Sequence, residues 1–142
     1  TEGGLQGQTH DENSRFLGGM AGNAGLFGSI AAVLRFLEAL TSGQLAKPET
    51  VAEWTRRQAP DSTRALGWDT KSLEGYTSAG QRFGPKSYGH TGFTGTCIWV
   101  DPDAGIAGVL LTNRVVYGRQ NERIKDFRPK FFDALTEDLL AE

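Results

Sequence analysis

Two apolar runs, CIWV at 97–100 and IAGVLL at 106–111, flank Asp101, Pro102, Asp103, Ala104 and Gly105. Asp, Pro and Gly between two short strand-like runs turn the chain back on itself, so this stretch predicts an antiparallel hairpin. What precedes it departs from strand composition: residues 89–95 read GHTGFTG. Glycine weakens a strand because it loses more backbone entropy on ordering and offers no side chain to pack. A glycine-rich strand entrance therefore signals that another backbone or a ligand comes close. That makes 89–95 a candidate site.

Around this core the apolar spacing becomes helical. In SIAAVLRFLEALTSG, Ile30, Val33, Leu34, Leu37 and Leu40 recur at threes and fours, with Ser29 as N-cap and Gly43 just past the end. PETVAEWTRR carries Pro48 in its first turn and Val51 and Trp54 on one side, which predicts a second, short helix. The glycine-rich residues 1–28 show no sustained period and read as loop with room for one helical turn. ALGWDT at 65–70 allows a strand. The tail IKDFRPKFFDALTEDLL spaces Ile124, Phe127, Phe131, Leu135 and Leu139 helically, with Pro129 as helix start or kink, and predicts an amphipathic helix over a sheet face. The fold class is thus α+β: an antiparallel sheet of about three strands, a packing C-terminal helix and an N-terminal loop-helix segment. Residues 1–142 are expected to make up a single, partial domain, with loop and helices in 1–57 and the sheet and last helix in 58–142.

Composition excludes several functions. The formal net charge is −2 and the 15 Lys and Arg are scattered, so there is no basic footprint for nucleic acid. No run approaches the length of an apolar membrane span. The single cysteine, Cys97, excludes an internal disulfide and reads as a small core residue. His10 and His90 are the only histidines, too few with one cysteine for a zinc cluster. His10-Asp11-Glu12 reads either as a weak cation site or as a solvated turn. The chain opens on Thr1 while its only methionine is Met20, so the expectation is a processed start or a piece of something larger. An N-terminal threonine can act as a nucleophile with its own amine as base, which keeps Thr1 among the candidates. GxSxG, GxxxxGK[ST], GxGxxG and HExxH do not occur.

What remains is His90-Thr91-Gly92, and here the chain resembles a known family. The serine β-lactamase and penicillin-binding-protein superfamily, with its related esterases, carries a K-T-G motif on the strand lining the cleft, often H-T-G in the class C-like branch. GHTGFTGTCIWVDP followed by GIAGVLLTNR is similar to that strand and its partner. HDENSRFLGGMAGNAGLFGSIAAVLRFLEAL is similar to the family's glycine-rich loop and following helix, and LGWDT to a segment before the third motif. The resemblance implies acyl transfer to a serine without cofactor or metal, on a β-lactam, ester or peptide. It places Phe93 as an oxyanion donor through its backbone N–H. It places His90, Thr91 and Gly92 along the substrate, with Arg119 and Asn121 near its carboxylate. A permissive glycine would admit the substrate closely, and His90 would offer a polarising group that titrates near neutrality. It also implies an extracytoplasmic parent protein.

The remaining family motifs are absent. No serine is followed three residues later by lysine, and Tyr76, Tyr88 and Tyr117 are followed at the second position by Ser, His and Arg. Both missing motifs precede the glycine-rich loop in the family, so the chain resembles its C-terminal portion only and should be inactive alone. An unpaired sheet edge and uncovered apolar face would then drive it to dimerise, swap elements or pair with the missing N-terminal portion. The competing readings are a non-catalytic domain that docks a peptide or partner strand on that edge, and a metal-dependent hydrolase, for which ligands are lacking. On the residues alone, the glycine-rich entrance could equally cross a bulky helix, with His90 half-buried and satisfied.

Overall fold

A computed structural model describes residues 2–141; Thr1, weighed above as a nucleophile, lies outside the described residues. After a 3-10 turn at Glu2–Gly4 come α1 (Glu12–Phe16), α2 (Ile30–Thr41), α3 (Pro48–Thr55), β1 (Asp69–Thr70), β2 (Tyr88–Thr91), β3 (Cys97–Asp101), β4 (Ile106–Leu110), a 3-10 turn at Arg114–Tyr117 and α4 (Arg123–Leu140). The strands form one antiparallel sheet in the order β1-β2-β3-β4. Three strands carry the sheet and the fourth, β1, is the two-residue remnant of ALGWDT. The hairpin turn falls where expected because the Asp101 carboxylate accepts from the Asp103 and Ala104 amides, and Gly105 supplies a φ of +68°.

Both faces of the sheet are covered. Cys97, Trp99, Ile106 and Leu110 face α4, where they pack with Phe83, Ile124 and Phe132. Tyr88, Val100 and Val109 face the opposite way, toward Leu37 of α2. The register sets Gly89 beside Trp99 and Trp99 beside Gly108, so a large indole lies between two residues without side chains. Each glycine admits a neighbour: a Cβ on Gly89 would lie 2.6 Å from the Trp99 ring, and one on Gly108 would lie 2.7 Å from Phe132 and Leu135. The sheet surface is thus hollowed to seat the indole and α4.

Two helical expectations need correction. Pro129 does not start α4, which begins six residues earlier at Arg123 and runs through it. The extra turns form because Ile124 joins the core, while Asn121 Oδ1 and Glu122 O accept the Arg123 and Lys125 amides. The buried face of α4 is also displaced: it is the i+4 row Ile124, Arg128, Phe132 and Thr136, with Phe131 and Leu135 half-buried and Phe127 and Leu139 exposed. Ridge packing over Gly108 favours that row, which contains a charged residue and so hid from an apolar count. On α2, Leu37 and Leu40 are buried, whereas Ile30 and Leu34 face outward.

The long connection from β1 to β2 is held by polar groups. Lys71 Nζ donates to the carbonyls of Gln81 and Phe83, and burial pushes its pKa down. Asp133 of α4 accepts from the Gln81 and Arg82 amides at 2.6 and 2.9 Å. These bonds fix the strand entrance that leads to residues 89–95.

Candidate functional site

GHTGFTG forms the end of β2 and the turn into β3. The Gly92 amide donates to Thr96 O at 2.8 Å and the Gly95 amide to Gly92 O at 3.0 Å, so Phe93 and Thr94 occupy the turn's tip. Its glycines answer to neighbours within the molecule. A Cβ on Gly92 would lie 2.0 Å from Thr96 Oγ1, and one on Gly95 would lie 2.4 Å from Thr112 Oγ1, with Gly95 at a φ of +116°. The space beside Gly92 is therefore filled by Thr96, where the sequence suggested a substrate. Thr112 Oγ1 also donates to Gly95 O at 2.8 Å, which ties the turn to the segment after β4.

Two arginines that sequence reasoning missed hold this turn. Arg114 donates from Nε to Phe93 O at 2.7 Å and from Nη1 to Arg119 O and Asn121 O, each at 2.8 Å. Its guanidinium lies 4.6 Å from the centre of the Phe93 ring, whose plane also stacks on His10 at 5.6 Å. Arg128, 7 % exposed, sends Nη2 to Gly92 O and Thr96 O, both at 2.8 Å. No carboxylate pairs with it among the described residues, its Nε has no partner, and burial pushes its pKa down. A lone cation in the row Ile124, Phe132 and Thr136 was the available signal for Arg128. Arg114 offered none beyond its place after the second strand.

The structure brings several predicted site residues to this tip. Phe93 is 57 % exposed, and its N–H enters no hydrogen bond among the described residues. Thr91 and Gly92 are half-buried on the same strand end. Arg119 and Asn121 reach the tip through carbonyls on Arg114, while their side chains are otherwise occupied: Arg119 pairs with Glu12, and Asn121 Oδ1 accepts from the Arg123 amide at 3.2 Å. That ion pair holds the Glu12 carboxyl below its usual range. His90 is exposed, with Nδ1 2.8 Å from Thr91 O and Nε2 3.3 Å from Arg64 Nη1. A carbonyl only accepts and a guanidinium only donates, so both contacts are satisfied by the tautomer with its proton on Nδ1. Arg64 in turn pairs with Asp69 at 2.8 Å, which links His90 to β1.

His10-Asp11-Glu12 has structural work instead of a shared cation. Asp11 caps α1 by accepting from the Ser14 amide at 2.7 Å, and also accepts from Asn23; these bonds lower its pKa. His10 is buried against Phe93. Among the described residues no three His, Cys, Asp or Glu side chains gather as metal ligands. No helix among them is long and apolar enough to cross a membrane. A depression of about 270 Å³ lined by Gly3, Leu5, His10, Arg15 and Arg119 adjoins the His10 face of the tip.

Comparison with known proteins places this arrangement. A family model described as Beta-lactamase matches residues 2–128. The chain belongs to the β-lactamase family. Proteins named "Putative D-alanyl-D-alanine carboxypeptidase" from Salmonella agona and Salmonella gallinarum are each 38 % identical to it over 121 residues. These matches cover 78 % of this chain and 27 % of each relative, so the chain spans about a quarter of their length. A crystal structure of a β-lactamase from Mycobacterium bovis superposes with a TM-score of 0.70 at 23 % identity, over 81 % of this chain and 46 % of that one. That likeness carries the fold: an antiparallel sheet with helices on it, as the H-T-G resemblance implied.

Proposed function

We propose that this β-lactamase-family chain forms the oxyanion-side wall of a serine hydrolase whose nucleophile is carried by other polypeptide. The observation that supports this most is the Phe93 amide, free of hydrogen bonds on an exposed turn whose flanking carbonyls are both gripped by arginines. A preorganised N–H of that kind stabilises charge developing on a carbonyl oxygen by several kcal/mol, and does so only in the transition state. Thr91 and His90 would line the acyl substrate, and Arg119 and Asn121 its polar end. The names of the Salmonella relatives favour a peptide ending in D-alanine over other acyl compounds.

The other polypeptide is a partner this surface suits. Phe16 at the end of α1 and Met20 and Leu26 on the glycine-rich loop after it are almost fully exposed, as is much of Leu17 and Phe27, and among the described residues β4 has no strand on its outer side. Apolar area and an open ladder together favour a covering element, either the N-terminal portion of a longer protein or a second copy. The test is direct. The 142-residue chain with chromogenic β-lactams, p-nitrophenyl esters and acyl-D-alanyl-D-alanine peptides should give no turnover. A longer protein that adds an S-x-x-K segment should turn over at least one of them with an acyl-enzyme burst. Turnover by the chain alone, or none by the longer protein, would refute the proposal. A second reading, a non-catalytic module that docks a strand on β4, rests on that open edge and predicts peptide capture with no turnover in either form.

A further inference from the structure

Arg128 is buried, and it holds the peptide group on which the proposed reaction depends. The carbonyl of Gly92 and the N–H of Phe93 belong to one peptide unit, and no peptide bond in the described chain is cis. In a planar trans unit the two point in opposite directions. Arg128 Nη2 draws Gly92 O and Thr96 O toward α4 at 2.8 Å each, so it turns the Phe93 N–H away from α4. Each carbonyl already accepts one backbone N–H across the turn: Gly92 O from Gly95, Thr96 O from Gly92. The guanidinium therefore tightens a closed turn and leaves the Phe93 amide, like that of Thr94 beside it at the tip, without a hydrogen bond among the described residues. A cation on the carbonyl side of a peptide also draws electron density from its N–H and makes it a stronger donor. Arg114 Nε fixes the next unit by holding Phe93 O at 2.7 Å.

We infer that Arg128 is a positioning residue that aims and polarises the Phe93 amide through the Gly92 carbonyl. This rests on the reading of Phe93 as oxyanion donor for its use in catalysis, but not for its geometry. The cost of the device is visible: an arginine 7 % exposed, without a carboxylate partner among the described residues, and with Nε unbonded.

The geometry is tested on the wild-type chain by ¹⁵N NMR. The Phe93 amide should exchange with water at close to the unprotected rate, while the Gly92 and Gly95 amides are protected and the Arg128 Nη2 protons give resolved, slowly averaging signals. A protected Phe93 amide, or freely averaging Arg128 protons, would overturn the inference. In Arg128→Met the Phe93 amide shift should move more than any amide outside residues 92–96, and Arg128→Lys, with charge and one bond restored, should recover part of that change. An unmoved Phe93 signal in folded Arg128→Met would also overturn it. If Arg128→Met does not fold, the wild-type exchange and Arg128→Lys carry the test. In the longer protein, Arg128→Met should lower kcat about 10- to 100-fold with KM unchanged within about twofold, because a misaimed donor is lost in the transition state alone. An active longer protein whose kcat ignores the substitution would overturn the positioning role. A longer protein that hydrolyses nothing would refute the hydrolase proposal instead, and the spectra would still decide the geometry.

Discussion

Gly89→Ala isolates the packing that seats residues 89–95 on the sheet. A Cβ there would lie 2.1 Å from Ile98 O and 2.6 and 2.9 Å from two carbons of the Trp99 ring. Carbon atoms rest about 3.5–4.0 Å apart, so the ring must retreat by about 1 Å and the carbonyl by more. Neither can do so freely: Ile98 is paired to Val109 on its other side, and Trp99 is pinned by Nε1 donating to Ser78 Oγ at 3.1 Å. Overpacking of this kind costs about 1–3 kcal/mol, and a strained ladder hydrogen bond about 1 kcal/mol more. The lower entropy of an unfolded alanine offsets about 0.5–1 kcal/mol, leaving a net loss of about 1–3.5 kcal/mol. For a domain of this length that lowers Tm by about 3–12 °C. Thermal unfolding followed by near-UV circular dichroism of the tryptophans measures it. The control is Gly105→Ala, where φ is +68° and nothing lies within 4 Å, so only the left-handed backbone penalty of about 1–2 kcal/mol, less the same unfolded-chain offset, applies. If Gly89→Ala melts at or above Gly105→Ala, the account of these glycines as internal packing sites is wrong.

Phe132→Ala should destabilise by about 3–5 kcal/mol in urea unfolding, because the ring is 0 % exposed and meets Phe83 edge-on at 5.4 Å; a loss under about 1 kcal/mol would show that α4 is not seated as described. Burial pushes the Cys97 thiol from 9.0 up to about 11, so the folded chain keeps a proton that the unfolded chain releases. That contribution is complete below about pH 9 and is lost as pH rises through about 11, by about 2–3 kcal/mol. Urea midpoints of the wild type should therefore fall more steeply between pH 8 and pH 11 than those of Cys97→Ala, and parallel curves would contradict it.

The lesson of α4 is that period is not enough to name a buried face. Ile124, Phe127, Phe131, Leu135 and Leu139 satisfy helical spacing, and the row beside them, Ile124, Arg128, Phe132 and Thr136, is the one that packs. Reading hydrophobicity rejects a row with an arginine and a threonine in it. The structure accepts both because Arg128 finds two carbonyls and Thr136 Oγ1 donates to Phe132 O at 2.8 Å. As a helix start, Pro129 misled for a related reason. Its local rule forbids one hydrogen bond, and the core contact of Ile124 outweighs it.

The sequence alone determined the hairpin, the α2 cap and its end, and the H-T-G resemblance, because each depends on residues adjacent in the chain whose backbone preferences or spacing are local. Packing in three dimensions settled what the glycines of GHTGFTG admit: Trp99 against Gly89, Thr96 against Gly92 and Thr112 against Gly95. It alone decided that Arg114 and Arg128, 14 residues apart, grip carbonyls on either side of one amide. A hydrogen bond between elements depends on where strands and helices cross in space, and spacing along the chain does not encode that crossing.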